Sequence, residues 1–331
     1  MNRIHDLTER YQHIHFIGIG GVSMSALAEI MRLRGHCVTG SDNSESPAVQ
    51  HLRDNGVTVY LGHKESQVEG ADLVVYTAAI SPDNPELLEA KRLGIPVVER
   101  AVFLGWILRC YGCPIGVSGT HGKTTCTSMI SQILLEAQLD PTILIGGTLP
   151  LIGQNFKVGA SPYVVYEACE YVDSFLNFVS YITVILNVDA DHLDYFEDIS
   201  AIQASFLAYA RLTMPGGCLV ANGDDVNLQP VLRQYEGERV LRRASWASRG
   251  RSFCTPSPFL AGPRGALSAR GSFAASPWST IMRTTLPKLP PRCGPPKSVP
   301  FPGWSAFFSP TPIRAPRRCG RSLSRRFLRQ T

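Results

Sequence analysis

Residues 115–134 limit the possible folds of this chain more than any other stretch. There an apolar run passes through Gly-Thr-His-Gly-Lys-Thr-Thr into a helical spacing of apolar residues. Ile115–Val117 reads as a short buried strand. Met129, Ile130, Ile133 and Leu134 recur at the helical period, and the pattern stops before Pro141. A strand feeding a helix through a glycine loop is the repeating unit of parallel α/β architectures. In this loop Gly119 and Gly122 let backbone N–H groups wrap an anion. Lys123 places a cation near the β and γ phosphates, and the Thr124 hydroxyl can ligate magnesium. Gly119, Thr120, His121, Gly122, Lys123, Thr124 and Thr125 are therefore the candidate nucleotide-binding residues. Val117 stands at the first glycine of the general G-x4-G-K-[ST] pattern, so the loop is a Gly-Thr-x-Gly-Lys-Thr variant.

An earlier unit repeats the plan. His15–Ile19 reads as a buried strand, with Gly18, Gly20 and Gly21 in and after it. Met24, Leu27, Ala28, Ile30 and Met31 give a helical face, and Cys37–Thr39 a second strand. Asp42 follows the first glycines by about twenty positions, where nucleotide-binding βαβ units place an acidic residue that reads a ribose hydroxyl. Ser23 replaces the third glycine of that pattern. The plainer reading is a turn that only packs a helix closely on a strand. Further alternation follows, with a strand in 72–80, a helix over 84–94 and a strand over 95–100. The expected organisation is a Rossmann-like domain over 1–105 and a phosphate-loop domain over 106–238, both α/β.

Magnesium needs hard oxygen ligands beyond one threonine. Two apolar runs end in suitable groups: Tyr163–Glu170 brings Glu167 with Glu170 close behind, and 181–196 brings Asn187, Asp189, Asp191 and His192. In open α/β sheets ligands bind at the carboxyl ends of strands, so both clusters can face the phosphate loop. Taken singly, a glutamate after a strand is more often a surface or capping residue, and a lone histidine is more often structural.

Together, HFIGIGGVSMSALA, GTHGKTT, EACEYVDSF, NVDADHLDYF and PGGCLVANGDD resemble the Mur ligases of peptidoglycan synthesis, in order and spacing, over roughly residues 12–238. Ser23 and Cys169 depart from the family pattern, which has glycine and aspartate there. The glycine-rich start looks like the branch that adds L-alanine. The resemblance implies ATP and Mg2+ as cofactors and UDP-N-acetylmuramate and L-alanine as substrates. The γ-phosphate would pass to the sugar carboxylate, and the alanine amine would attack the resulting acyl phosphate. It also implies catalytic roles for Lys123, Glu167 and His192 and metal contacts from Thr124, Glu167 and His192. Gly18, Gly20, Gly21, Ser23 and Asp42 would hold the uridine diphosphate. A nicotinamide oxidoreductase is disfavoured by the phosphate loop.

Composition matters for the remainder. The net charge of +5 hides a split: residues 1–238 hold 14 Lys/Arg against 27 Asp/Glu, whereas residues 239–331 hold 18 Lys/Arg, no acidic residue and 14 of the 24 prolines. Such a segment is expected to be irregular, and it carries no period of either strand or helix. The expected explanation is out-of-frame translation from about residue 239. With suitable codons for Ser279–Lys288, reading from the third base of the first codon gives Asp-Asp-Tyr-Ala-His-His-Pro-Thr-Glu, which looks like the third domain of the family's alanine-adding branch. The same offset turns Phe307–Arg317 into Phe-Gln-Pro-His-Thr-Tyr-Ser-Arg-Thr-Lys, another stretch like that branch. The rival reading is a basic, proline-rich tail that binds nucleic acid.

No apolar run is long enough to span a bilayer, and Met1–Arg10 has no signal-peptide core, so a cytoplasmic location is expected. Small molecules are the expected partners, without nucleic acid or membrane. Oligomeric state does not follow from the sequence.

Overall fold

The computed structural model describes residues 10–192 and 194–242. Two sheets, one parallel and one parallel but for its last strand, are strung along the chain. The first contains β1 (His13–Ile17), β2 (Cys37–Asp42), β3 (Thr58–Leu61), β4 (Leu73–Tyr76) and β5 (Val97–Glu99) in the order β3-β2-β1-β4-β5. All its pairings are parallel. The second contains β6 (Cys113–Ser118), β7 (Thr142–Leu149), β8 (Gln154–Lys157), β9 (Tyr163–Glu167), β10 (Ser180–Ile185), β11 (Thr213–Asn222) and β12 (Arg239–Arg242). Its order is β12-β11-β10-β6-β9-β7-β8, and only β7 with β8 is antiparallel. The α/β reading holds for both sheets, although β1 begins two residues before the strand expected from the sequence.

The inner strands read as apolar runs because helices cover both faces of a parallel sheet. β6 is buried from end to end. The helices are α1 (Val22–Leu33), α2 (Pro47–Asp54), α3 (Pro85–Arg92), α4 (Arg100–Leu108), α5 (Lys123–Glu136), α6 (Ile199–Arg211) and α7 (Gln229–Gln234); all are crossovers within a sheet except α4, which joins the first sheet to the second. Three helices start on a side-chain cap: Ser46 accepts from Val49 N, Asn84 from Glu86 N, and Asp198 from Ala201 N. Such caps satisfy donors that a helix start otherwise leaves open. The helices after the glycine loops differ. Gly21 and Gly122 are the N-caps of α1 and α5, and neither start has a side-chain cap.

β1 carries a polar exception in its centre. His15 is fully buried, with Nδ1 2.8 Å from Thr39 Oγ1 and Nε2 2.6 Å from the buried Glu86 carboxylate. His63 meets the other Glu86 oxygen at 2.6 Å. These partners remove the cost of burying polar groups in the sheet.

The two sheets share an apolar core. Phe103, Leu104, Ile107 and Leu108 of α4 are buried in one cluster with Phe16 and Leu27 from the first sheet side and with Tyr166, Phe175 and Phe206 from the second. Phe103 meets Phe16 edge-on at 5.7 Å. The boundary expected at 105/106 therefore falls inside a helix whose apolar face serves both layers. At the other end, β12 pairs in parallel with β11 over Arg239–Arg242, four residues past the boundary set by the charge change. The irregular tail expected from there on lies, from residue 243, outside the described residues. Among the described residues no helix is long and apolar enough to cross a membrane.

Candidate functional site

The phosphate loop joins β6 to α5. Gly119 sits at φ 135° and Gly122 at φ 85°, left-handed backbone that glycine takes without strain. A Cβ at Gly119 would also come within 3.0 Å of Leu186 Cβ and 3.1 Å of Asn187 N. The loop is pinned to the end of β10, the neighbour of β6. Thr120 N donates to Asn187 O at 3.2 Å and His121 N to Asn187 Oδ1 at 2.8 Å, while Asn187 Nδ2 donates back to His121 O at 3.0 Å. Thr120 Oγ1 accepts from Asp189 N at 2.9 Å. Thr120 and His121 thus spend these groups on the shape of the loop. The uncapped first turn of α5 is left as the donor set for an anion, where the helix dipole also favours negative charge. The His121 imidazole lies 3.6 Å from the Asp189 carboxylate, both exposed.

Lys123 opens α5 and folds back over the loop. Its ammonium donates to Gly119 O at 2.7 Å and lies 2.9 and 3.0 Å from the two oxygens of Glu170. One residue on, Thr124 donates its hydroxyl to Glu167 Oε2 at 3.1 Å, and Glu167 Oε1 accepts from Gly146 N at 2.8 Å. Glu167 thus ties the end of β9 to both α5 and β7. Thr125, like Thr124, is exposed in the first turn of α5. His192, at φ 54°, places Nε2 3.8 Å from Glu170 Oε1 and its ring 4.8 Å from that of Tyr171.

The sequence expectation of one metal trio divides here into two pairs. Thr124 contacts Glu167, and His192 contacts Glu170, with Lys123 between them. Among the described residues no group of three His, Cys, Asp or Glu converges as a preformed metal site. The Thr124–Glu167 pair nevertheless supplies two hard oxygen donors beside a phosphate loop. That suits magnesium, which keeps several waters and takes its other ligands from substrate phosphates.

The first glycine turn is built differently. Gly18, at φ 79°, and Ile19 both donate their N–H to Ser41 O, at 2.8 and 3.0 Å. Gly21 N closes the turn on Gly18 O at 3.2 Å. Gly20 N donates to Asp42 Oδ2 at 2.9 Å, and a Cβ there would come 2.9 Å from both that oxygen and Val49 Cγ2. Asp42 Oδ1 accepts from Ser44 N at 3.1 Å. In this structure Asp42 clamps the turn. Ser23, in the first turn of α1, accepts from Arg100 Nη1 at 3.4 Å. Ser23 and Arg100 line one cavity of about 300 Å³ with Gly146, Glu167 and Cys169 of the second sheet. Asn155 Nδ2 closes the same side by donating to Val22 O at 2.9 Å.

The sequence groups Glu170 with Glu167 among the oxygen donors that can face the loop; in the structure it is the carboxylate on Lys123. β9 is buried from Tyr163 to Tyr166, Ala168 N beyond it bonds Val117 O, and the chain then buries Glu170 against Lys123. Arg100 had no local motif at all, and only the packing of α4 brings it to the cleft.

Fold and site together define a phosphate-loop α/β protein in which a second, glycine-turn nucleotide-type domain shares a cleft with the loop. Residues 13–111 match the model described as Mur ligase family, catalytic domain, and residues 117–242 the Mur ligase middle domain. The chain belongs to the Mur ligase family.

It is 50% identical over 228 residues to the UDP-N-acetylmuramate–L-alanine ligase of Clostridium botulinum (strain Okra / Type B1), covering 69% of this chain and 50% of that protein. To the ligase of the same name from Acetivibrio thermocellus it is 49% identical over 249 residues, covering 74% and 53%. Solved crystal structures are similar as well. That of UDP-N-acetylmuramate-alanine ligase from Thermotoga maritima gives a TM-score of 0.61 at 29% identity, covering 70% of this chain and 53% of that one. That of the UDP-N-acetylmuramate:L-alanyl-γ-D-glutamyl-meso-diaminopimelate ligase of Neisseria meningitides gives 0.62 at 30%, covering 70% and 77%. The chain spans about half the length of the curated relatives it matches.

Proposed function

We propose that this chain carries the nucleotide- and UDP-sugar-binding part of an ATP-dependent ligase that joins L-alanine to UDP-N-acetylmuramate. ATP with Mg2+ is assigned to the loop 119–125, and the uridine diphosphate to the turn Gly18–Ser23 and Asp42. The observation that carries the reading is the convergence of Lys123, Thr124, Glu167 and Glu170 at the ends of adjacent strands around an uncapped helix start. Such a site stabilises charge that builds on a transferring phosphoryl group. Lys123 faces that charge, Thr124 and Glu167 would hold the metal, and His192 backs Glu170. Magnesium there would neutralise phosphate oxygens. The shared cleft supports a carboxylate acceptor near Arg100 and Ser23. A cytoplasmic location belongs to the same proposal.

A second reading is a nucleotide-binding protein without turnover. It is favoured because the family match stops at residue 242, with the acid-free segment beyond. We therefore expect binding with little or no ligation. Calorimetric titration of the full chain should show Mg2+-ADP and UDP-N-acetylmuramate binding at separate sites, and no NAD binding. A folded chain that binds neither would end both readings. Phosphate release requiring both UDP-N-acetylmuramate and L-alanine would reject the second.

A further inference from the structure

The ammonium of Lys123 has no donor to spare. It bonds Gly119 O at 2.7 Å, Thr120 O at 3.2 Å and both oxygens of Glu170 at 2.9 and 3.0 Å, and lysine offers three donors. A phosphate chain must therefore displace one of these acceptors, and Glu170 is the charged one that an anion replaces like for like. Glu170 is held too firmly to follow. Its side chain is 3% exposed, and it leads into the turn Tyr171–Asn177, where Val172 and Asp173 both sit at φ 53°. Left-handed backbone is costly for a β-branched residue and persists only when its surroundings enforce it. Here three side-chain bonds made by its neighbours Tyr171 and Asp173 enforce it. Asp173 accepts from Tyr195 OH at 2.9 Å and from Ser205, while Tyr171 OH donates to Asp194 at 3.1 Å. The segments bearing Glu170 and His192 are thus tied to each other, and His192 Nε2 waits 3.8 Å from Glu170.

The charges at the loop then decide what can enter. The loop sets one cation, Lys123, on the Glu170 carboxylate, with a second carboxylate, Glu167, on the neighbouring Thr124. A metal-free polyphosphate adds like charge to that pair, whereas a metal-bound one brings its own cation. We propose that Glu170 is the counter-ion an incoming phosphate chain displaces from Lys123, and that its fixed charge makes the loop select metal-bound over metal-free polyphosphate. Glu170 is a specificity-determining residue, with His192 placed to receive it when Lys123 leaves. This rests on the reading of 119–125 as the phosphate loop.

The test is calorimetric titration of the full chain with inorganic tripolyphosphate, with and without Mg2+, and with Mg2+-ADP. The unmodified chain should bind tripolyphosphate at least about tenfold tighter with Mg2+ than without. Glu170→Gln should raise metal-free affinity about tenfold and shrink that preference. Glu170→Asp, which keeps the charge, should retain it. In a Lys123→Met background the gain should vanish, because the two residues act through one contact. Equal affinity with and without metal in the unmodified chain, or a Glu170→Gln gain that survives Lys123→Met, would overturn the assignment. That result alongside intact Mg2+-ADP binding sinks Glu170 alone, whereas absent Mg2+-ADP binding removes the phosphate-loop reading beneath it.

Discussion

Thr124 and Glu167 are 43 residues apart in the chain, yet the threonine hydroxyl donates to the glutamate at 3.1 Å. Both side chains reach the loop mouth, and Glu167 is held from behind by Gly146 N–H. Thr124→Val should weaken Mg2+-ADP roughly tenfold, about 1.4 kcal/mol, and leave metal-free binding nearly unchanged. Thr124 is exposed, so the melting temperature should hardly move. Equal losses with and without metal would remove Thr124 from the metal's ligands.

Lys123→Ala removes a charge-assisted donor, worth about 1.5–3 kcal/mol, so ADP affinity should fall roughly 10- to 100-fold. Calorimetry reads this directly. Undiminished affinity would place the nucleotide elsewhere.

Gly116 lies in the middle of β6 against three buried hydroxyls. Tyr166 OH is 2.7 Å from Ser180 Oγ, which is 3.2 Å from Tyr209 OH, and a Cβ on Gly116 would collide with all three. Burial pushes the Tyr209 hydroxyl up to about 12, so the cluster stays neutral and hydrogen-bonded. Gly116→Ala should cost about 1–3 kcal/mol in urea unfolding. A neutral result would mean that the strand can shift without loss.

Stability should fall on the acid side. Burial lowers the pKa of His36 below the usual 6.5, against the raising effect of its bond to Tyr11 O. Its Nδ1 is 2.8 Å from that carbonyl, and its buried Nε2 has no partner, as fits a neutral ring. His13 is lowered in the same sense, chiefly by burial. For such groups the unfolded chain binds more protons below pH 6.5, so stability is complete above that pH and declines beneath it. For Glu86, burial pushes the pKa up, but bonds from His15, Ser41 and His63 outweigh it and leave it below 4.5. A lowered carboxylate adds stability above its unfolded pKa and loses it as pH falls through the folded value. Melting temperatures should drop from pH 7 to 5, and His36→Gln should flatten that slope. A variant slope as steep as the wild type would contradict the assignment.

The proposal that residues from about 239 onward are translated out of frame is settled by DNA. Sequencing codons 235–290 should give Asp-Asp-Tyr-Ala-His-His-Pro-Thr-Glu in the shifted frame. Its absence there would leave the basic tail as a protein segment in its own right. Because β12 pairs with β11 through residue 242, the change of frame is expected after that strand.

Local pattern was enough for the two glycine loops, the helices after them and the strand that ends at Glu167, which follow from short-range periodicity and from φ requirements that the sequence states openly. What only the tertiary structure decided is which groups meet. The order β10-β6-β9 sets Asn187 and Glu167 on either side of the loop. The turn after β9 swings Glu170 onto Lys123, Asp42 is drawn under Gly20, and α4 delivers Arg100 to Ser23 from 77 residues away. These contacts depend on strand order and helix packing, which join parts of the chain that no local spacing relates.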